Sequence, residues 1–156
     1  MLHRKNIKLA LTFAGLAIIM CAPAAFGQAI VSDTPFPAQP FVGCNGDAIS
    51  VSGTLHTETT FSTNPNGFIH TSSNSTLKGT GIGVPSGANY VVNEIQHAEV
   101  NSKTVAQEQF FSTKMKLIAQ GPYPNLTLRT TIHMVVNANG TVTVSTFGFQ
   151  TSCNGQ

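Results

Sequence analysis

The chain has 156 residues, of which only 9% are charged, and it contains three cysteines and no tryptophan. This length predicts one domain. Beyond residue 27, five Lys and Arg residues nearly balance six acidic residues, so the composition shows no basic stripe and argues against a nucleic-acid-binding protein.

Residues 1–27 have the organisation of a secretory signal peptide. Basic residues come first, and they are His3, Arg4, Lys5 and Lys8. An apolar run over residues 9–26 follows, a proline breaks it, and small residues then predict cleavage after Gly27. A retained membrane anchor is one alternative, although the run is close to the minimum length that spans a bilayer. A lipoprotein built on Cys21 is another, but the bulky Met20 precedes it. The segment predicts a secreted or periplasmic protein with no membrane span after cleavage.

Residues 28–43 are predicted to form an extended, proline-rich arm. Proline has no N–H to donate to a β-ladder, which favours a linker here over a central strand. The prolines are Pro35, Pro37 and Pro40. Phe36 and Phe41 are placed to pin the arm to the surface of a single domain over residues 44–156.

Apolar and polar residues alternate from Ile49 onward, which is typical of β-strands. One strand begins at Ile49 and ends before a turn at residues 64–67. A second strand, over residues 68–84, contains three glycines, which are Gly79, Gly81 and Gly83. A phosphate-binding loop would need a following helix, so these glycines are interpreted as a kink in a strand. A third strand is predicted over residues 89–100.

The second half of the chain predicts three more strands. Residues 105–119 also fit a helix, but the shared parity of the apolar residues favours a strand. Residues 126–136 alternate clearly, and Asn139-Gly140 is a strong hairpin signal. In the last strand, residues 141–153, the apolar parity changes near Ser145, which predicts a β-bulge.

About six strands joined by short turns predict an all-β antiparallel meander. Cys44 precedes the first strand and Cys153 ends the last, so a sheet that curls into a small barrel or barrel-like form brings them together. We therefore predict a disulfide between Cys44 and Cys153. It closes a loop of about 110 residues and contributes roughly 4 kcal/mol in the chain-entropy model. A reactive thiol or a metal ligand would need neighbouring groups that the sequence does not show.

No catalytic, cofactor-binding or metal-binding residue is predicted. Symmetric hairpins would place His56, Ser75, His97 and Glu108 in one cross-strand row. Two imidazoles and a carboxylate are metal ligands, but the row depends on three assumed registers, and a slip of one residue moves a strand to the opposite face. The expected interpretation is separate histidines on a polar face. No nucleophile elbow is present, and enzyme activity is not assigned.

Several turn and strand signatures resemble those of small exported bacterial β-barrel-like proteins of unassigned function. The signatures are Cys44-Asn45-Gly46, Ser52-Gly53-Thr54-Leu55-His56, Gly79-Thr80-Gly81, Tyr90-Val91-Val92-Asn93 and residues 137–144. The resemblance implies an exported β-domain and transfers no site residues.

Two functions are compatible with this domain. By analogy with calycin-like barrels, it is a binding module for a small apolar or amphipathic ligand. The alternative is a structural or surface-interaction protein with a filled core. A cavity lined by residues such as Leu128, Ile132 and Met134 would favour the first. The sequence predicts neither the ligand nor the oligomeric state.

Overall fold

A computed structural model describes residues 29–104 and 106–154, so the predicted signal peptide lies outside the described residues. The strands are β1 (Ala29–Val42), β2 (Ala48–Thr63), β3 (Ile69–Val84), β4 (Asn89–Lys103), β5 (Ala106–Gln120), β6 (Asn125–Val136) and β7 (Val142–Asn154). They form one sheet in sequential order, and each pairs antiparallel with the next. The predicted all-β antiparallel meander is confirmed, with seven strands in place of about six. In the part of the chain described, no helix is long and apolar enough to cross a membrane.

The additional strand is β1, formed by the segment predicted to be an arm. It pairs with β2 from Ala29 opposite Thr60 to Val42 opposite Ala48, with an irregularity between Phe36 and Gln39. Prolines are compatible with this position because an edge strand has one side with no ladder partner.

The ambiguous fourth segment is the strand β5, as its alternation predicted. The predicted bulge is also present, slightly earlier than Ser145. Val135 lies opposite Val144 and Val136 lies opposite Val142, which leaves Thr143 as the extra residue. The bulge places Val142 on the same face as Phe147 and Phe149, although its parity in the sequence is the opposite.

One face of the sheet, here called the inner face, carries the apolar core near the β1–β2 turn. The core side chains are Ile49, Val51, Leu77, Ala88, Tyr90, Val92, Met115, Leu117 and Leu126. Burying a large apolar side chain contributes about 1.5–3 kcal/mol. Gly81 leaves room for this packing, because a Cβ there would lie 2.9 Å from Ile49 Cγ2. Gly81 therefore serves packing of the core.

A disulfide joins Cys44, in the β1–β2 turn, to Cys153 on β7, with the two Cα atoms 5.8 Å apart. The first and last strands of the sheet therefore meet at one end, so the sheet is curled. Within the described residues, no β1–β7 pairing closes it into a barrel.

Candidate functional site

The seam between the end of β1 and strands β6 and β7 contains a crevice of about 560 Å³ beside the disulfide. The lining residues of this seam crevice are Pro40, Phe41, Val42, Gly43, Cys44, Leu126, Leu128, Phe149, Thr151 and Cys153. Among these ten, Thr151 is the one polar side chain, since both cysteines are in the disulfide. The crevice is therefore apolar.

Strand register places the two walls of the crevice. Leu126 lies opposite Cys153 and Leu128 opposite Thr151, so these residues share the inner face of β6 and β7. Phe41 lies opposite the core residue Ile49 and supplies the facing wall from β1. Because β1 and β7 are the edges of the curled sheet, these inner-face side chains meet without a ladder between them.

Phe149 is 58% exposed although it lies on the inner face. It belongs to the edge strand β7, and no further strand covers it. The neighbouring inner-face residue Phe147 is 69% exposed but does not line the crevice. Phe149 therefore offers an aromatic surface to a molecule that enters the seam.

The geometry suits binding. Ligand pockets are typically about 300–1,000 Å³ and mostly apolar, with a few polar groups that set orientation. Leu128 lines the crevice as the sequence analysis envisaged, whereas Ile132 and Met134 lie further along β6 and do not line it. Thr151 offers a hydroxyl for one hydrogen bond.

No family model matches the chain, and neither the curated proteins nor the solved structures yield a match. Three further groups of polar residues lie outside the crevice.

The first group begins at Glu94, a carboxyl on the inner face that the sequence analysis did not single out. Glu94 lies opposite Leu77 and Met115 and is 5% exposed. Its Oε1 atom accepts hydrogen bonds from Thr113 Oγ1 at 2.6 Å and Gln96 Nε2 at 3.0 Å. Its Oε2 atom has no partner among the described residues. The sequence signal was its shared parity with the core residues of β4.

Beyond Glu94 the inner face becomes polar. Hydroxyl pairs bridge β2 and β3, at 2.9 Å between Thr57 and Ser75 and at 3.1 Å between Thr59 and Ser73. Across β2 and β3 the inner face is thus apolar near the disulfide and polar further along, whereas β7 carries Phe147 and Phe149 on the same face.

The second group is the histidines, which do not form the row that symmetric hairpins would give. His56 lies opposite Thr76, and His97 lies opposite Asn74 and Ser112. Ser75 is on the inner face, bonded to Thr57. All three assumed registers were wrong, by one residue between β2 and β3, by one between β3 and β4 and by four between β4 and β5. A slip of one residue changes the face. In residues 29–104 and 106–154, no cluster of three or more His, Cys, Asp or Glu could hold a metal.

Three histidines instead pair with carboxylates on the outer face. The distances are 2.7 Å from His56 Nδ1 to Asp33, 3.1 Å from His97 Nε2 to Glu99 and 3.1 Å from His133 Nε2 to Glu108. His70 Nδ1 is 2.6 Å from Asn101 Oδ1. These exposed pairs match the polar-face interpretation, and such pairs contribute little stability.

Asp47 and Ser86 connect two turns at the disulfide end. The Ser86 hydroxyl donates to the Asp47 carboxylate, which is the main reason that the pKa of Asp47 lies below its ordinary 3.8. Burial raises the pKa of the nearby Tyr90, and the charge of Asp47 adds to this effect. This cluster holds the β1–β2 turn against the β3–β4 turn and is structural.

Proposed function

We propose that this protein is an exported, non-catalytic binding module for a small apolar or amphipathic ligand, which occupies the seam crevice. The observation that carries the proposal is an apolar crevice of about 560 Å³ in which Thr151 is the one polar side chain. Ligand surface buried there is removed from water, at roughly 25 cal/mol per Å² of apolar area.

Export is part of the proposal. The Cys44–Cys153 disulfide is of the kind that persists in oxidising compartments. The predicted signal peptide and the resemblance to small exported bacterial proteins agree with a secreted or periplasmic location. Detecting the mature chain beginning at Gln28 outside the cytoplasm tests this part, and a full-length cytoplasmic chain would contradict it.

Titration with the uncharged fluorescent probe N-phenyl-1-naphthylamine tests binding. Wild-type protein is expected to give saturable fluorescence. The variant Phe149→Ser is expected to bind at least about tenfold more weakly, because an aromatic contact of more than 1.4 kcal/mol is lost. Both the wild type and the variant should keep the same β-rich circular dichroism spectrum.

Phe147→Ser is the matched control. It removes the same side chain from the same face of the same strand, but Phe147 does not line the crevice. Probe affinity should therefore stay within about twofold of wild type. Equal weakening by both substitutions, or no saturable binding at all, would rule the crevice out.

The alternative is a surface-interaction protein with a filled core. The packed apolar core near the disulfide favours this alternative. The edge strand β7 also favours it, because β7 has neither a charged residue nor a proline. Such edges pair readily with another strand. Concentration-dependent association in light scattering, together with no saturable probe binding, would support this alternative.

A further inference from the structure

Four cations gather on the outer face, although the sequence showed no basic stripe. They are Lys78, Lys114, Lys116 and Arg129, out of five Lys and Arg residues in the described region. Lys114 lies directly opposite Arg129, and Lys116 lies opposite Thr127 and opposite Asn93, the neighbour of Lys78. Only the strand register brings these residues together.

Three of these cations line one groove of about 400 Å³, here called the basic groove. Its polar side chains are Lys114, Lys116, Asn125, Thr127, Arg129, Ser152 and Asn154. Lysine, arginine, hydroxyl and amide groups all donate hydrogen bonds. No carboxylate lines the groove.

Among residues 29–104 and 106–154, no carboxylate pairs with a cation of the basic groove. Like charges directly opposite each other in a sheet are destabilising, yet Lys114 faces Arg129. Over residues 29–104 and 106–154, the ion pairs of the carboxylates are made with histidines, and none involves Lys or Arg. An anion in the groove would remove this repulsion.

We infer that the basic groove binds a phosphate group. Three cations match a dianion better than a single carboxylate, and the planar guanidinium of Arg129 suits bidentate contact with phosphate oxygens. The lysines act as point charges, and Thr127 and Ser152 supply neutral donors. The inference is independent of the seam crevice.

The phosphate has two possible sources, a free phosphate compound or a lipid head group. A cleft of about 580 Å³ along β7 is lined by Arg129 and Thr127, and also by the crevice residues Phe149 and Thr151. An amphiphile whose phosphate lies in the basic groove could therefore place its apolar part against Phe149, around the β7 edge of the sheet.

Binding of two probes tests the inference on the folded mature domain. One is inorganic phosphate, followed by NMR shifts and melting temperature. The other is phosphatidylcholine vesicles with and without phosphatidic acid, followed by co-sedimentation. Wild-type protein is expected to bind at least one of them. The double variant Lys114→Gln/Arg129→Gln is expected to bind at least about tenfold more weakly, since charge-assisted bonds are lost.

Lys103→Gln is the matched control, because Lys103 lies away from the groove with its ammonium 5.2 Å from the Phe68 ring centroid. It should bind within about twofold of wild type. Response to inorganic phosphate identifies a free phosphate compound, and response to phosphatidic acid alone identifies a lipid head group. The inference is overturned if neither probe binds, or if Lys103→Gln weakens binding as much as the double variant. Circular dichroism of each variant verifies that the fold is kept.

Discussion

Tyr90 places a hydroxyl inside the apolar core. The side chain is 2% exposed, and its Oη atom has no hydrogen-bond partner among the described residues. A buried polar atom without a partner loses its hydration without compensation. Tyr90 therefore stabilises the fold through its ring.

Replacing Tyr90 with Phe is expected to leave the free energy of unfolding unchanged or raise it by up to about 1 kcal/mol. Tyr90→Ala, in contrast, should cost about 3–5 kcal/mol because it removes the ring as well. Denaturant unfolding of both variants measures this. A loss of more than about 1 kcal/mol in Tyr90→Phe would show that the hydroxyl is satisfied.

Asp47 makes stability depend on pH. Its pKa is lowered in the folded state, chiefly by the Ser86 hydroxyl, so its contribution is present above the ordinary pKa of 3.8. That contribution is lost as the pH falls through the lower folded pKa.

Ser86→Ala should therefore unfold at a lower temperature than wild type at neutral pH. The difference should shrink as the pH falls through the lowered folded pKa of Asp47, because at still lower pH the carboxyl is protonated in both proteins. Melting temperatures measured from neutral to strongly acidic pH give the comparison. A difference that is constant over this range would contradict the role assigned to Ser86.

At the scale of the strands, period-two alternation was sufficient to predict the extent of β2 to β7. It failed for β1, because Pro35, Pro37 and Pro40 argue against a strand unless the strand is known to be an edge. That knowledge depends on the order of strands in the sheet. Register also escaped prediction, since the sequence does not fix the centre of each hairpin turn, and the assumed pairings were wrong by one to four residues. Both the histidine row and the basic groove depend on register.

At Gly53, which lies opposite Gly79, the backbones of β2 and β3 leave no room for a Cβ atom. A Cβ on Gly53 would overlap the carbonyl oxygen of Lys78, whereas one on Gly148 would lie 3.9 Å from Thr131. Gly53→Ala is therefore expected to cost about 1–3 kcal/mol.

The matched variant Gly148→Ala should be neutral or slightly stabilising, because it reduces the freedom of the unfolded chain. Chemical denaturation of the two variants side by side measures the contrast. Equal stabilities would mean that β2 and β3 are further apart at Gly53 than the structure shows.

At the scale of the whole molecule, the disulfide holds the two ends of an open sheet together. The pairing of Cys44 with Cys153 was predictable from chain topology alone. The seam crevice was not predictable, because its walls come from β1 and from β6 and β7, which lie far apart in the sequence. The seam is open because β1 and β7 form no ladder with each other. Leu128 was foreseen as a lining residue, whereas Phe41 and Phe149 were not.

Removing the disulfide should destabilise the domain strongly. The bridge spans 109 residues, which corresponds to about 4–5 kcal/mol in the chain-entropy model. Cys44→Ser/Cys153→Ser should therefore lower the denaturation midpoint and also weaken binding of N-phenyl-1-naphthylamine, because one crevice wall is released. A double variant with wild-type stability would show that side-chain packing holds β1 and β7 together without the bridge.

Photolabelling tests the binding proposal most directly. An uncharged alkyl diazirine is irradiated with the folded, oxidised protein, and the labelled positions are mapped by mass spectrometry. Saturable labelling should concentrate on Phe41 and on residues 126–128 and 149–151, and excess N-phenyl-1-naphthylamine should suppress it. Labelling spread evenly over the surface, or confined to the outer face, would contradict a ligand in the seam.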